Sequence, residues 1–149
     1  MKTDIKRANI TDFDVLFDNL RECDKQEVLE TMKVKSLKQH LKLWKSLCLD
    51  NVYSVFIDNK LICMFGTNKW DCLSSSVWML STKYLAKFNK TFLKATHKIR
   101  EIAFQDNKKL FNFVYVKNKS AIRYLRFVGA DFKNVFSKDK KFQYFEIIR

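Results

Sequence analysis

The fold is decided by residues 110–132, which read LFNFVYVKNKSAIRYLRFVGADF. The first seven, Leu110 to Val116, are rich in β-branched and aromatic residues, and at that length they favour a buried strand over a helix. A polar turn follows at 117–119, and a short amphipathic helix then ends at Gly129, where a helix C-cap requires a left-handed backbone. Because Phe132 opens a further strand, the segment predicts strand, turn, helix, glycine cap and strand.

The same segment resembles the C-terminal part of GNAT-type N-acetyltransferases, whose last helix commonly reads Asn-x-x-Ala-Ile and, after six further residues, reaches a Gly-Phe pair. Asn118, Ala121 and Ile122 fall at those spacings. Gly129 does so as well, while Ala130 replaces the usual Phe. The alternative is a strand–helix–strand unit of another fold that also closes on a glycine cap.

Length and composition predict one folded domain spanning residues 1–149. A chain of this length can bury a sizeable core, and its 47% hydrophobic and 15% aromatic residues exclude a disordered protein. No apolar run approaches the roughly 20 residues of a membrane-spanning helix. The first residues, MKTDIKRANITDFD, carry no apolar signal segment, so we expect the protein to start in a cytoplasm.

The chain is strongly basic, with 29 Lys and Arg residues against 16 Asp and Glu residues and a net charge of +13. Such a charge attracts anionic partners, among them nucleic acid, nucleotide cofactors and acidic protein surfaces. A second interpretation is compositional, because abundant Lys, Asn, Phe and Ile without Pro are typical of AT-rich coding DNA.

Cysteine and histidine spacing predicts no metal site. The chain has four cysteines: Cys23, Cys48, Cys63 and Cys72. They form no CxxC pair and have no histidine at metal-ligand spacing, so we expect Cys63 and Cys72 to be reduced, with Cys63 in the core of a strand. His40 and His97 have no Ser or Cys partner, and we expect both on helix surfaces rather than in catalysis.

Turn signals and apolar periodicity predict the other elements. They are a strand at 4–8, helices capped by Thr11, Asp24 and Ser36, strands at 52–57, 61–68 and 75–80, a long helix from Ser81 or Thr82 to about Gln105, and a hairpin of 132–136 with 142–148. A tight turn is expected at Asp58-Asn59, and Gly66 indicates a bulge or a close backbone approach. Apart from an extra early helix, this is the GNAT order. It predicts an α+β, GNAT-like fold with a mixed, mostly antiparallel sheet flanked by helices.

The GNAT resemblance implies where acetyl-CoA would bind. These enzymes hold its pyrophosphate on a glycine-rich loop after the fourth strand, since backbone N–H groups at a helix N-terminus point at the anion. The corresponding segment, Leu80 to Ala86, contains no glycine. The other roles open to Trp78 and Asn118 are a core position and a helix cap. The cofactor-binding residues implied by the resemblance are Trp78, Met79, Leu80, Ser81, Lys83 and Asn118.

Many GNAT enzymes also use a Tyr as general acid, seven residues after the Asn of the last helix. That position is Leu125 here, and Tyr124 lies about 100° away round the helix. The missing glycines and the missing Tyr leave the catalytic residues unknown and count against efficient acetyl transfer.

A closer resemblance covers Val52 to Ile148. This segment is similar to the GNAT-like internal virion proteins of short-tailed, autographivirus-type coliphages, a family associated with virion morphogenesis. The opening residues, 5–7 and 11–13, are similar too, whereas residues 20–50 match poorly. That family shares the Leu-for-Tyr and Ala-for-Phe departures from the enzymes. The features held in common are Val77-Trp78, Leu80-Ser81, the basic long helix, 113–116, Asn118, Ile122-Arg123, Leu125, Gly129-Ala130, Phe142-Gln143 and Phe145.

Five lysines on the long helix form a stripe on a different face from its apolar residues. The apolar face carries Leu85, Phe88, Phe92, Ala95, Ile99 and Ile102 at steps of three and four. The lysine stripe consists of Lys83, Lys87, Lys90, Lys94 and Lys98. It is either a solvated face or a contact for DNA, RNA or an acidic virion protein, and any nucleic-acid binding would be non-specific and salt-dependent.

The leading interpretation is a phage GNAT-fold protein that acts as an internal virion or virion-assembly protein with weak or no catalysis. One alternative is an active acetyl-CoA-dependent N-acetyltransferase that modifies a host or phage amine, and the other is a basic host-interaction protein. We expect it in the host cytoplasm or packaged in the virion, with phage virion or host proteins as partners. Acetyl-CoA is the cofactor expected if the chain is active.

Overall fold

The computed structural model describes residues 1–32 and 51–149. The third predicted helix, with its cap Ser36 and with His40, lies outside the described residues, as does Cys48. The order of the described elements is the predicted one. They are β1 (Thr3–Arg7), α1 (Asp12–Asp18), α2 (Glu22–Met32), β2 (Val52–Ile57), β3 (Lys60–Lys69), β4 (Ser74–Ser81), a 3-10 helix (Lys83–Phe88), α3 (Asn89–Ala103), β5 (Lys109–Tyr115), α4 (Lys119–Phe127), β6 (Asp131–Phe136) and β7 (Phe142–Ile148).

In the described part of the chain, seven strands form one sheet in the order β1-β2-β3-β4-β5-β7-β6. The pairs β1–β2, β2–β3, β5–β7 and β6–β7 are antiparallel. The pair β4–β5 is parallel, with Ser74 opposite Lys109 and Ser76 opposite Phe111. The predicted mixed, mostly antiparallel sheet is therefore confirmed.

The described residues divide into two compact units. The first consists of Met1–Gly66 and Met79–Thr96, and the second consists of Thr67–Trp78 and His97–Arg149. The expectation of a single domain over residues 1–149 stays a prediction. None of the helices in residues 1–32 and 51–149 is long and apolar enough to cross a membrane.

The β2–β3 hairpin has the predicted turn but not the predicted bulge. Asp58 and Asn59 have φ values of 49° and 66°, the left-handed pair that a tight two-residue hairpin turn requires. Gly66 pairs in regular register with Val52, and the register shift lies between Val55 and Phe56 instead. The extra residue of the bulge is Ile62, because Val55 faces Cys63 and Phe56 faces Leu61. Of the two alternatives for Gly66, the bulge is therefore wrong, and a close backbone approach stays a prediction. Cys63 itself is fully buried in β3, as predicted.

The long helix begins as a 3-10 helix and continues as α3. All five residues of the lysine stripe are exposed, while Phe92 and Ile99 are buried, so the predicted helical phase is confirmed. Phe88 is only half-buried, contrary to prediction. It ends the 3-10 segment, where three residues per turn shift the phase that 3.6 residues per turn would give.

The last helix of the second unit, α4, is closed at both ends as predicted. The Asn118 side chain accepts the backbone N–H of Ala121 at 3.2 Å and caps the N-terminus. Gly129 has a φ of 92°, and its N–H donates to the carbonyl of Arg126 at 3.1 Å. The N–H of Ala130 donates to the carbonyl of Leu125 at 2.9 Å, which completes a Schellman motif.

Candidate functional site

The candidate site in the first unit is the junction between β4 and the 3-10 helix. Leu80, Ser81 and Thr82 are buried there, and Lys83 is the first exposed residue. Thr82 occupies the N-cap position, but its hydroxyl donates to the carbonyl of Leu61 at 2.8 Å instead of capping the helix. The junction therefore continues strand-like hydrogen bonding up to the first turn of the 3-10 helix.

Three successive backbone N–H groups at this junction donate to acceptors within the protein. The Ser81 N–H donates to Oδ2 of Asp24, the Thr82 N–H to the carbonyl of Ile62, and the Lys83 N–H to the carbonyl of Asn19, each at 2.8 Å. Backbone N–H groups at the start of a helix bind an anion only when they are free to point at it. These three donors are already satisfied.

Asp24 does not cap the second helix, contrary to prediction. Helix α2 begins at Glu22, so Asp24 lies within its first turn, where it is 1% exposed. Its two carboxylate oxygens accept bonds from Nε and Nη2 of Arg21 at 3.3 and 3.2 Å, in addition to the Ser81 N–H. A buried carboxylate needs hydrogen-bond donors as partners. The contact with β4 supplies one of these donors, the Ser81 N–H, which a position capping α2 would not supply.

Arg21 binds the same junction through its backbone and its side chain. Its N–H donates to the carbonyl of Ser81 at 2.9 Å. Burial lowers the pKa of the Arg21 guanidinium, but the Asp24 carboxylate outweighs that effect and holds the pKa above its usual range. Arg21 therefore stays charged at physiological pH, and its bonds to Asp24 and to the Ser81 carbonyl stabilise the end of β4.

Cys63 is the thiol that shares the electrostatic environment of this pair. Burial raises its pKa well above the usual range for a cysteine, and Asp24 adds to the effect while Arg21 opposes it. A protonated, buried thiol is a poor nucleophile. Cys63 is therefore a core residue rather than a catalytic one. Among the described residues no group of His, Cys, Asp and Glu side chains could hold a metal ion.

Lysines surround the exposed side of the junction. Nζ of Lys60 lies 4.1 Å from the ring centroid of Tyr84, and Nζ of Lys83 lies 5.5 Å from it. The Tyr84 hydroxyl donates to Oδ1 of Asn19 at 3.1 Å, which fixes the ring. The sequence between Cys72 and Arg100 contains no Asp or Glu. The charged side chains that this segment contributes are therefore all cationic.

The residues that the resemblance assigned to cofactor binding fall in both units. Met79, Leu80, Ser81 and Lys83 belong to the first unit, whereas Trp78 and Asn118 belong to the second. Trp78 and Met79 are both half-buried and, being successive residues of β4, point to opposite faces of the strand. Asn118 is buried and caps α4. Their role in cofactor binding stays a prediction.

Leu125 and Tyr124 lie on α4 in the second unit, and both are half-buried. The Tyr124 ring stacks on Phe127, with centroids 6.4 Å apart. Phe127 itself is 60% exposed, so Tyr124 packs beside an exposed ring. Sequence reasoning missed Asn19, Arg21 and Asp24 as partners of the β4 end. No spacing rule could have found them, because 57 residues separate Asp24 from Ser81.

Comparison with known proteins identifies a phage family. The family described as "Bacteriophage T7, probable scaffold protein Gp13" matches residues 54–137. The probable scaffold protein gp13 of Escherichia phage T7 is 36% identical over 84 residues, which cover 56% of this chain and 58% of that protein. The chain thus matches a little over half the length of this curated relative.

Solved acetyltransferase structures share the fold. Ard1 from Thermoplasma volcanium has a TM-score of 0.66 at 11% identity, over 99% of this chain and 98% of that chain. The PaiA N-acetyltransferase from Thermoplasma acidophilum, in complex with coenzyme A, has a TM-score of 0.64 at 16% identity over 100% of both chains. A GNAT-family acetyltransferase from Bacillus anthracis has a TM-score of 0.63 at 11% identity, over 99% of this chain and 95% of that chain. These likenesses confirm the predicted GNAT-like fold.

Proposed function

The chain belongs to the family of the bacteriophage T7 probable scaffold protein Gp13, and we propose that it acts in virion assembly without efficient acetyl transfer. In this proposal the GNAT-like fold is a stable scaffold that presents binding surfaces to other proteins. The protein works in the host cytoplasm during assembly and is packaged as an internal virion protein, and its partners are phage virion proteins.

One observation carries the proposal: the backbone N–H groups of Ser81, Thr82 and Lys83 already donate to Asp24, Ile62 and Asn19. A pyrophosphate that bound to these three N–H groups would have to break those bonds. It would also approach the carboxylate of Asp24, whose negative charge repels it. The residues present therefore do not fit the phosphate-binding role that acetyl-CoA would need there.

The sequence of the junction and of α4 supports the same proposal. No glycine lies between Leu80 and Ala86, so every residue presents a Cβ atom toward an approaching phosphate. Leu125 has no proton to donate at the position where many related enzymes carry a Tyr general acid. We derive no catalytic step from these residues.

The lysine stripe is the surface that we assign to an acidic virion protein. Lys83, Lys87 and Lys90 are exposed, and among the described residues none of the three forms an ion pair with a carboxylate. Unpaired lysines on a chain of net charge +13 favour association with an acidic surface and steer its approach.

The proposal is tested by complementation of a phage that lacks this gene. We expect the unaltered chain to restore infectious particles without any requirement for acetyl-CoA chemistry. A thiol-release assay with purified chain, acetyl-CoA and a panel of amines should show no turnover above background. Turnover that depends on Lys83 or Trp78 would contradict the proposal and favour an active N-acetyltransferase.

A further inference from the structure

A strip of neighbouring aromatic rings lies on one face of the sheet in the second unit. The Trp70 and Phe111 centroids are 6.0 Å apart, those of Phe111 and Tyr144 are 6.2 Å apart, and those of Tyr144 and Phe113 are 5.3 Å apart. Phe111 and Phe113 alternate along β5, and Phe113 faces Tyr144 across the β5–β7 ladder. The same alternation along β7 places Ile148 on this side. We call Trp70, Phe111, Phe113, Tyr144 and Ile148 the aromatic face.

The aromatic face is open to solvent. Trp70 is 76% exposed, Ile148 is 59% exposed and Phe113 is 42% exposed, while Phe111 and Tyr144 are half-buried. Single exposed apolar residues are common, but a contiguous set that includes a tryptophan marks an interaction site. The core residues of β5, Leu110 and Val114, point to the other side of the strand and are buried.

Two ion pairs lie on this side of the sheet. Nζ of Lys109 lies 3.5 Å from Oε2 of Glu146, and Lys133 pairs with Asp131. The Tyr144 hydroxyl donates to the same oxygen of Glu146 at 2.9 Å. Partial burial, followed by that bond and the Glu146 charge, raises the pKa of Tyr144 to about 12, so it stays neutral at physiological pH. These two ion pairs therefore add no net charge to the aromatic face, on a chain whose net charge is +13.

The balanced charge of these two ion pairs indicates which kind of partner binds the aromatic face. Single-stranded nucleic acid also stacks on aromatic rings, but its sites combine those rings with a cationic groove, and here the two lysines are already matched by carboxylates. An acidic protein would be drawn to the lysine stripe instead. Two copies of this chain repel each other over most of their surface, and the aromatic face is a place where that repulsion is absent.

We propose that the aromatic face binds the aromatic face of a second copy of this chain, forming a two-fold symmetric dimer. A patch that is self-complementary, in which each residue of one copy can meet the patch of the other, is what an isologous interface requires. Fully buried aromatic rings cover about 150–250 Å² each, so these partly exposed rings supply only part of the roughly 800 Å² per partner that stable complexes bury. The dimer is accordingly weak and reversible.

The test is sedimentation equilibrium of the full chain across the micromolar range at physiological salt. We expect a reversible monomer–dimer equilibrium that Trp70→Ser weakens at least about tenfold, because tryptophan is among the residues most often found as interface hot spots. Phe127→Ser is the matched control, since Phe127 is 60% exposed on α4 outside the aromatic face. It should leave the equilibrium unchanged.

Three results would overturn the proposal. They are a monomer at every concentration, a dimer that Trp70→Ser does not weaken, and equal weakening by Phe127→Ser. Binding of a single-stranded oligonucleotide that requires Trp70 and competes with association would also overturn it, by assigning the face to nucleic acid. None of these results concerns acetyl-CoA binding, so they test the proposed dimer independently of the proposed assembly function.

Discussion

Asp24 and Ser81 are 57 residues apart in sequence, yet the carboxylate of Asp24 accepts the backbone N–H of Ser81 at 2.8 Å. The contact joins α2 to the end of β4, and Arg21 completes it by binding both carboxylate oxygens and the Ser81 carbonyl. The Asp24 carboxylate, which stabilises this junction, thus accepts a hydrogen bond from the Ser81 N–H group, which a bound anion would need as a donor. The Asp24 carboxylate therefore links the stability of the junction to the proposed lack of anion binding.

Replacing Asp24 should destabilise the protein. We expect Asp24→Ala to lower the free energy of unfolding by about 2–3 kcal/mol, because it removes a charged acceptor from Arg21 and from the Ser81 N–H at a buried place. Asp18→Ala removes an exposed carboxylate from α1 and should change the free energy by no more than about 0.5 kcal/mol. Urea unfolding measures both. Equal effects would contradict the role given to Asp24.

Cys63 should be unreactive in the folded protein. Burial raises the pKa of its thiol, so little thiolate forms even at mildly alkaline pH. In a chain carrying Cys23→Ser and Cys48→Ser, a thiol reagent should label the exposed Cys72 quickly and Cys63 only after denaturation. Rapid labelling of both thiols in native buffer would show that the core of β3 is open.

The Schellman motif at the end of α4 predicts a modest cost for a side chain at Gly129. An added Cβ would meet nothing within 4 Å, so the cost arises from the positive φ alone. We expect Gly129→Ala to lower the free energy of unfolding by about 1 kcal/mol, and Gly129→Asn by less, since Asn tolerates this conformation better. Thermal unfolding of the two variants measures the difference. An alanine variant as stable as the parent would contradict the prediction.

The lysine stripe should govern binding to the acidic partner. Replacing Lys83, Lys87 and Lys90 by Gln should weaken co-sedimentation with phage virion proteins and reduce its dependence on salt, because three steering charges are lost. The matched control replaces the exposed Lys117, Lys119 and Lys138, which lie elsewhere on the chain and carry the same charge. Equal effects of the two triple variants would show that the lysine stripe is only a solvated face of the helix. Loss of binding to DNA alone would assign it to nucleic acid.

Much of the fold was predictable because its signals are local. Positive φ at Gly129 follows from a glycine placed just after an apolar helical face, and the Asn118 cap follows from an Asn before one. The Asp58-Asn59 turn and the exposure of the lysine stripe follow in the same way. Each signal lies within a few residues of the feature that it predicts.

The candidate site was less predictable because its contacts are distant in sequence. A lone Asp near a helix start is more often a cap than a buried acceptor, so Asp24 was misassigned. The bulge lies at Ile62. The carbonyl of Ile62 accepts the Thr82 N–H, and the carbonyl of Leu61 accepts the Thr82 hydroxyl. Gly66 gave no indication of a bulge at Ile62. The sequence also indicated no link between Trp70 and β5.

We expect the junction of β4 and the 3-10 helix not to hold the pyrophosphate of acetyl-CoA. Binding tests it more directly than turnover does, because binding requires no knowledge of the acceptor amine. Isothermal titration of the purified chain with acetyl-CoA at about 0.15 M salt, where long-range attraction to the basic surface is screened, is the decisive measurement. We predict no saturable heat. Saturable micromolar binding that Lys83→Ala or Trp78→Ala abolishes would contradict the claim.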